Sequence, residues 1–402
     1  MSTRVWWLRR DLRVADHPAL LTAADGGAVV PLFVLDPALW AAAGAPRQAR
    51  LLASLRSLDA DLRDRYAVSL VVRVGSPLTV VPALATEVGA VAVHVTAETT
   101  PYGRRRDTAV RAALNAQGRE LVATGTAYAI GPGTVRTGGG TPYRVFTPFA
   151  RAWRALGAPG PAPAPSRLIG LRAVPSDDLP LVESSGVAAE GVVAGESAAR
   201  VRWEEFLRDG VADYGERRDR PDLDGTSRLS AALKFGEVHP RTLLADLARS
   251  PAAGSPGATT FVTELAWREF YADVLWHHPA SAWSDLRPMA GMVYDEPSAG
   301  FEAWRAGRTG FPFVDAGMRQ LAATGWMHNR VRMVTASFLV KDLHVWWPHG
   351  AGHFMALLAD GDLASNSHGW QWCAGTGTDA APYFRVFNPV GQGLRFDPDG
   401  AY

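Results

Sequence analysis

Along residues 1–125, short apolar runs rich in β-branched residues alternate with longer amphipathic stretches. The runs are Val5–Leu8, Ala28–Leu35, Ser69–Val74 and Val91–Val95, with a weaker one at Glu120–Ala123. Between them, residues Pro46–Arg65, Pro77–Val88 and Tyr102–Gln117 place apolar side chains at helical spacing. Short apolar runs bounded by turn residues predict buried strands, and helical periodicity predicts helices packed on one face. Their alternation predicts βαβ units and a parallel sheet. Residues 1–125 are therefore expected to form a doubly wound, Rossmann-like α/β domain.

The pattern changes twice. Residues 126–195 contain GPG, GGG and PGPAPAPS with few charges, the composition of a long linker. One island, Thr141–Phe149 followed by ARAWRAL, reads as ordered. From residue 196 onward the helical period dominates, at Ala198–Gly210, Pro240–Arg249, Thr259–His278, Phe311–Thr324 and Met327–Leu343. Residues 196–402 are expected to be an all-α domain.

Composition narrows the class. Of 402 residues, 47% are hydrophobic and 20% charged, which excludes wholesale disorder and a collagen-like repeat. The single cysteine, Cys373, excludes an intrachain disulfide. No secretory h-region and no long apolar run is visible, so a cytoplasmic, non-membrane protein is expected. Residues 1–199 carry a net charge of +5 and residues 200–402 of −4. A nucleic-acid surface, if present, is a local patch rather than a global basic excess.

Candidate chemistry lies mostly in the helical half. The first strand is followed by RRDLRVADHP rather than GxGxxG, so the dinucleotide fingerprint is absent. Asp224–Ser230 gathers Thr226, Ser227, Arg228 and Ser230 before a helix; such donors suit a diphosphate. Taken alone, the block reads first as an N-cap with a solvated arginine. In Phe261–Tyr271, helical spacing puts Glu264, Trp267, Arg268 and Tyr271 on one face, a mixture that suits a cavity lining better than a core. In Thr324–Met333, Asn329, Arg330 and Met333 share a face with Arg332 beside it. The fourth block runs DGDLASNSHGWQW from Asp360 to Trp372, then TGTDAAPYFR. Arg104–Arg106 reads as the solvated start of a helix. His277 and His278 lack ligand partners at a metal-binding spacing, so no metal is expected.

These blocks, in this order, together with WWLRRDLRVADHPAL, TPYRVFTPF and FNPVGQGLRFD, resemble the photolyase/cryptochrome family of blue-light flavoproteins. The likeness is greatest to bacterial class I photolyases acting on cyclobutane pyrimidine dimers, and it spans almost the whole chain. The resemblance implies a bent FAD in the helical domain. It implies phosphate contacts from Tyr214, Thr226, Ser227, Arg228, Leu229 and Ser230, further cofactor contacts from Phe261, Glu264 and Arg268, and flavin contacts from Asp360, Asp362 and Asn366, with Arg332 pairing with Asp360. It assigns Glu264, Trp267, Asn329, Arg330, Met333 and Trp372 to a flipped-out dimer and Arg218 to the DNA backbone. Glu264, Asn329 and Asn366 become the catalytic set. A neutral amide at 366 cannot donate a proton by ionising, which favours repair over the rival reading, a cryptochrome-like photoreceptor without repair activity. Asn329, where (6-4) photolyases usually carry histidine, favours cyclobutane dimers. The implied partner is dimer-containing DNA, met by a monomer.

Three departures qualify the resemblance. The electron-transfer chain matches at Trp370 and Trp347, but its third place is Tyr294, with Trp304 the alternative exit. The stretches that usually hold a folate antenna read Tyr102-Gly103 and Ala282-Trp283, so an 8-hydroxy-deazaflavin antenna is favoured over folate, with a second flavin or no antenna as the alternatives. Relatives usually continue for several tens of residues past Tyr402, so the closing helices are expected to be missing.

Overall fold

The computed structural model describes residues 2–171, 173–182 and 192–402, so part of the expected linker lies outside the described residues. Five parallel strands, β1 (Ser2–Leu8), β2 (Gly27–Leu35), β3 (Val71–Val74), β4 (Ala90–Ala97) and β5 (Glu120–Thr126), lie in the order β3-β2-β1-β4-β5. Every expected run becomes a strand, and the doubly wound topology is as expected. The crossovers are α1 (Pro18–Ala24), α2 (Pro37–Ala41), α3 (Ala45–Tyr66), α4 (Pro77–Glu87) and α5 (Pro101–Asn115). Successive strand side chains face opposite sides. Val5 and Trp7 accordingly pack with Val30, Leu32, Val81 and Val110 on one face of the sheet. Trp6 and Leu8 pack with Val29, Phe33, Leu55 and Leu58 on the other. A central strand covered on both faces must be apolar at every position, which is why β2 is buried throughout.

The linker is more than a connector. It forms α6 (Phe146–Leu156) from the expected island and β6 (Ile169–Gly170), which pairs with Ala28 and Val29 of β2. Two residues carry no visible period, so β6 was not legible. Gly170 is required there: a Cβ would fall 2.7 Å from Val68 Cγ2.

The second half is helical: α7 (Glu196–Asp209), α8 (Tyr214–Arg217), α9 (Ser230–Phe235), α10 (Pro240–Arg249), α11 (Pro256–His277), α12 (Ala299–Arg305), α13 (Pro312–Thr324), α14 (Asn329–Ser337), α15 (Trp347–Leu357), α16 (Leu363–Ala374) and α17 (Pro389–Phe396). Among the described residues it contains no strand beyond a single bridge, Asp295 with Val345. The expected Met327–Leu343 helix is divided. The His328 ring accepts the Arg330 N–H at 3.2 Å and so starts α14 later, and a wider helical turn over Phe338–Asp342 ends it. Among the described residues, no helix is long and apolar enough to cross a membrane.

The loop after β1 docks the two halves. Leu12 N–H donates to Phe235 O (3.0 Å), Arg13 to Gly236 O (3.0 Å), and Val14 N–H to Glu196 (2.7 Å). Asp16 meets Arg241 (3.0 Å) and Thr242 Oγ1 (3.1 Å). Gly236, at φ +68°, is pressed against this strip, where a Cβ would fall 2.1 Å from Arg10 O. Of Arg104–Arg106, Arg105 is exposed as expected, but Arg104 and Arg106 depart from the solvated reading. Arg104 stacks on Trp276 of α11 (3.8 Å), and Arg106 is buried beside Asp107 (2.8 Å) over Trp7. Aromatic faces supplied by distant elements attract these guanidinium groups.

Candidate active site

The third and fourth of the four helical-domain blocks line one cavity, with about 550 Å³ of empty space counting the part continuous with solvent; no residue of Asp224–Ser230 or Phe261–Tyr271 lies in its wall. Of the expected residues, Asn329, Arg332, Met333, Asp360, Asp362, Asn366 and Trp370 line it. Sequence reasoning missed Ala336, Phe354, Leu358, Gly361, Ser365, Gly369 and Cys373 in its wall. Small and apolar positions announce no chemistry on their own. Cys373 is buried, and burial pushes its thiol up to about 12, so it serves as packing rather than as a nucleophile.

Asp360 pairs with Arg332 at 2.8 Å, as the resemblance implied. Its Oδ1 is buried without a partner. Asp362 caps α16 by accepting the Ser365 N–H (3.1 Å) and pairs with Arg10 (3.0 Å), which also reaches Glu98 (3.5 Å). The α/β domain thus supplies a residue to the site, unforeseen because it belongs to a different motif. Burial works to raise the Asp362 carboxyl, but Arg10, Lys234 and Arg268 outweigh it and hold it at about 2. Glu98 is held at about 2 by Arg10, Arg106 and Arg9 against the same burial. Burial and neighbouring cations lower Lys234 to about 8. Around Asp360, Asp362 and Glu98 stand Arg10, Arg47, Lys234, Arg268 and Arg332, so the cations outnumber the carboxylates. Asn366 donates one of its two Nδ2 hydrogens to Ala351 O (3.0 Å), which leaves its Oδ1 and the second N–H without a protein partner.

Around the cavity the remaining blocks interlock. Arg228, at φ +51°, pairs with Asp224 (2.7 Å) and stacks on Trp326 (4.5 Å), joining the hydroxyl-rich loop to the start of the α14 block. Arg202 of α7, missed from sequence, holds that loop through Thr226 O (2.9 Å) and Ser227 O (3.1 Å). Leu229 is buried, and Ser230 opens α9. Tyr214 packs edge-on against Phe261. Arg268 donates to Ala127 O and Leu233 O and lies over Tyr128 (4.4 Å).

Four residues expected on the substrate lie outside the cavity wall. Glu264 is ion-paired with Arg218, so the carboxylate and the arginine expected on the DNA backbone form one unit. Arg330 meets Asp219 (2.8 Å) and covers Phe396 (4.5 Å). Trp267 stacks on Phe146 of the linker helix, with centroids 3.6 Å apart and planes 8° from parallel. Trp372 stacks on Phe387 (6.0 Å). Asn329 Nδ2 lies 4.0 Å from Met333 Sδ, which keeps those two together.

Trp370 is buried in the cavity wall with no partner for its Nε1. Its ring packs against Gly350 of α15, where a Cβ would fall 2.2 Å from Cη2, so glycine admits the indole one turn from Trp347. Tyr294 Oη is buried and unpartnered, and burial, with Asp285 and Tyr383 nearby, pushes its phenol up to about 12. Trp304 corrects the alternative exit. It is fully buried, donates to Thr335 O (3.0 Å), and therefore does not meet solvent.

Residues 4–166 match the family described as DNA photolyase, and residues 261–402 the FAD binding domain of DNA photolyase. The deoxyribodipyrimidine photo-lyase of Streptomyces griseus is 44% identical, over 100% of this chain and 88% of its own length. The chain belongs to the DNA photolyase family. Among solved structures of this family, a bacterial class III photolyase from Agrobacterium tumefaciens superimposes with a TM-score of 0.92 at 34% identity, covering 100% of this chain and 86% of that one. The Synechocystis cryptochrome gives 0.91 at 28% identity, covering 100% and 87%. So close a likeness to both a photolyase and a cryptochrome means that the backbone does not choose between their functions; the site must.

The cavity fits FAD. A buried orphan acceptor on Asp360, an orphan indole N–H on Trp370 and a cationic surround are features that an anionic, hydrogen-bonding dinucleotide would satisfy. Among the described residues, no cluster of His, Cys, Asp and Glu could hold a metal ion.

Proposed function

We propose that this FAD-binding DNA photolyase repairs cyclobutane pyrimidine dimers under light, acting as a monomer on DNA. When bound, FAD in its reduced form supplies a light-driven electron to the lesion and takes it back after the ring opens. The observation that carries the reading is Asn366. One of its two amide N–H bonds goes to Ala351 O, which fixes the carboxamide, so a group that cannot ionise lines the cavity. Such a group holds an N–H on the flavin edge without offering it a proton, which suits an enzyme that keeps its cofactor reduced and anionic.

The other residues bind and orient. Asp360, paired with Arg332, and Asp362, held ionised by Arg10, accept from the flavin and ribose. Thr226, Ser227, Arg228 and Ser230, with Tyr214, hold the diphosphate. Arg228 must then exchange Asp224 for phosphate, which its half-exposed position allows. Asn329 and Met333 form the lip against which a flipped dimer rests, and Trp267, backed by Phe146, offers a flat stacking surface. Glu264 accepts a base N–H, positioned by Arg218. The antenna is an 8-hydroxy-deazaflavin rather than folate. Tyr102 is bonded to Asp36, and Gly103 is pressed against Glu98, in the stretch where folate would need its pair.

The test is light-dependent repair of a dimer-containing oligonucleotide by purified, reduced protein, with a dark control and an absorption spectrum. Equal dimer content in light and dark would overturn the reading. Equal affinity for damaged and intact duplex would also count against it.

A further inference from the structure

Resting on the reading of Trp370 and Trp347 as an electron chain, the structure poses a problem at the chain's end. An oxidised ring keeps its hole only if the charge is compensated or the ring loses a proton. Tyr294 is poorly placed for this: its hydroxyl is buried with no acceptor. Trp304 is sealed in the core and donates to a backbone carbonyl, which cannot take a proton.

Asp285 stands in the place that matters. One carboxylate oxygen accepts the Trp347 Nε1–H at 2.6 Å and the neighbouring Trp346 Nε1–H at 3.2 Å. The two indoles are 6.5 Å apart and 69° from parallel. Among the described residues, no cation pairs with Asp285, and its side-chain hydrogen-bond partners within the protein are the two indoles. Its backbone is anchored: Leu286 N–H donates to the Gln371 side chain (2.8 Å) and Arg287 N–H to Thr376 O (2.8 Å). The first tethers it to α16, the helix that carries Trp370, and the second to the turn that follows that helix. Asp295 N–H to His344 O (3.0 Å) fixes the Tyr294 segment beside the entry to α15. Trp346 and Asp285 are half-buried, whereas Trp347 is fully buried.

We propose that Asp285 is the built-in proton acceptor of this chain, and that the oxidised equivalent stops on the Trp347–Trp346 pair. The oxidant is light-excited oxidised flavin, acting through Trp370. After Trp347 has lost one electron, its Nε1–H bond breaks and an O–H bond forms on Asp285. This leaves a neutral indolyl radical and a neutral carboxylic acid, with charge and atoms conserved. The half-buried acid then returns the proton to water. Return of the electron from the flavin now requires reprotonation as well, so the reduced cofactor outlives the flash. Asp285 acts through Trp347 and is a positioning and proton-accepting residue rather than a catalytic one.

Three measurements test this. In flavin-free protein, the two indole N–H proton resonances of Trp346 and Trp347 should both move upfield in Asp285→Asn; no movement would overturn the shared hydrogen bond. In flavin-loaded protein, flash absorption should show the neutral indolyl radical in wild type, against the longer-wavelength cation in Asp285→Asn with a several-fold shorter lifetime. In wild type alone, which needs no variant to fold, radical deprotonation should slow in D₂O and be independent of buffer concentration. Deprotonation that accelerates with buffer would mean direct loss to solvent and overturn the proposal. Trp370→Phe separates the failures. If it photoreduces like wild type, the chain itself is wrong; if it does not, but Asp285→Asn matches wild type, only the role of Asp285 falls.

Discussion

Two charged motifs look alike in sequence and behave oppositely in structure. RRDLRVADHP, after β1, and DGDLASN, entering α16, both pack carboxylates near apolar runs. In the first, every charged side chain finds a partner, and the atoms left without a hydrogen bond, Arg9 Nη1, Arg13 Nε and His17 Nε2, do not line the cavity. Arg9 meets Asp107 and Thr96, Asp11 meets His17 and Thr96, Arg13 meets two carbonyls, and Asp16 meets Arg241 and Thr242. In the second, Asp360 keeps a buried oxygen with no partner, on the wall of a void. Closed polar networks hold domains together, and open ones await a ligand. Charge density in a sequence therefore does not mark a site; unsatisfied atoms facing empty space do. Arg10 belongs to both, because it sits in the closed strip and pairs with Asp362 of the open motif.

Breaking each side should give different signatures. The largest effect is expected on the open side: Trp370→Phe should abolish photoreduction of oxidised FAD. Repair by chemically reduced protein should be kept, since that electron does not pass through Trp370. Steady illumination followed by flavin absorbance measures the first, and dimer repair the second. Next is the closed side. Asp16→Ala removes one partner of a buried pair, a change that costs about 3–5 kcal/mol, seen as a lowered urea midpoint with FAD still bound to the folded fraction. Asp360→Asn should reverse that pattern, with retained FAD falling about tenfold, equivalent to about 1.4 kcal/mol, while the flavin-free chain loses less stability than Asp16→Ala.

Acid should separate the regions as well. Burial lowers His239, in the docking seam, to about 4; its Nε2 lies 2.8 Å from the Thr126 carbonyl and must carry the proton of a neutral ring. A histidine whose folded pKa is depressed contributes stability above its unfolded value of about 6.5, and loses it as pH falls toward about 4. His328 and His368 are depressed to about 4 for the same reason. Asp362 stays ionised until about 2. Thermal stability should thus fall between pH 6.5 and 4, on the order of 1–3 kcal/mol per histidine, while Asp362 keeps its charge. Flavin release and loss of helical circular dichroism should coincide; release well before unfolding would show that the cavity, not the seam, yields first.

Smaller effects sharpen the outline of the open region. Trp267→Ala should weaken dimer binding about 10- to 100-fold, the worth of about 1–3 kcal/mol of base stacking, with the FAD spectrum unchanged. Arg228→Ala should reduce FAD occupancy only a few-fold. In the unliganded chain it is satisfied by Asp224 and Trp326, and that pairing offsets part of any phosphate contact. Full flavin occupancy in that variant would leave Arg228 a surface residue.

Much of the architecture was legible. β1 and β2 are long, apolar and buried on both faces, so periodicity alone identified them and their parallel pairing. The helix carrying Glu264, Trp267, Arg268 and Tyr271 was legible from its spacing, but none of the four lines the cavity that their shared face was expected to line. α15 and α16 were not, because WPHGAGHFMAL and LASNSHGWQWCA mix glycine and polar residues whose packing partners lie elsewhere in the chain.

Local sequence thus determined the strand and helix types, the order of the domains, and the chemical blocks of the site, because period and residue type depend only on near neighbours. Tertiary structure decided which charges close on each other and which face a void. It turned Arg218 onto Glu264, brought Arg10 from the first domain to Asp362 of the second, and set Trp267 on a linker phenylalanine. It also put one carboxylate, Asp285, against two indoles more than sixty residues away. Such contacts join residues that share no local pattern, and their energy exists only once burial has removed the water that would otherwise satisfy each group separately.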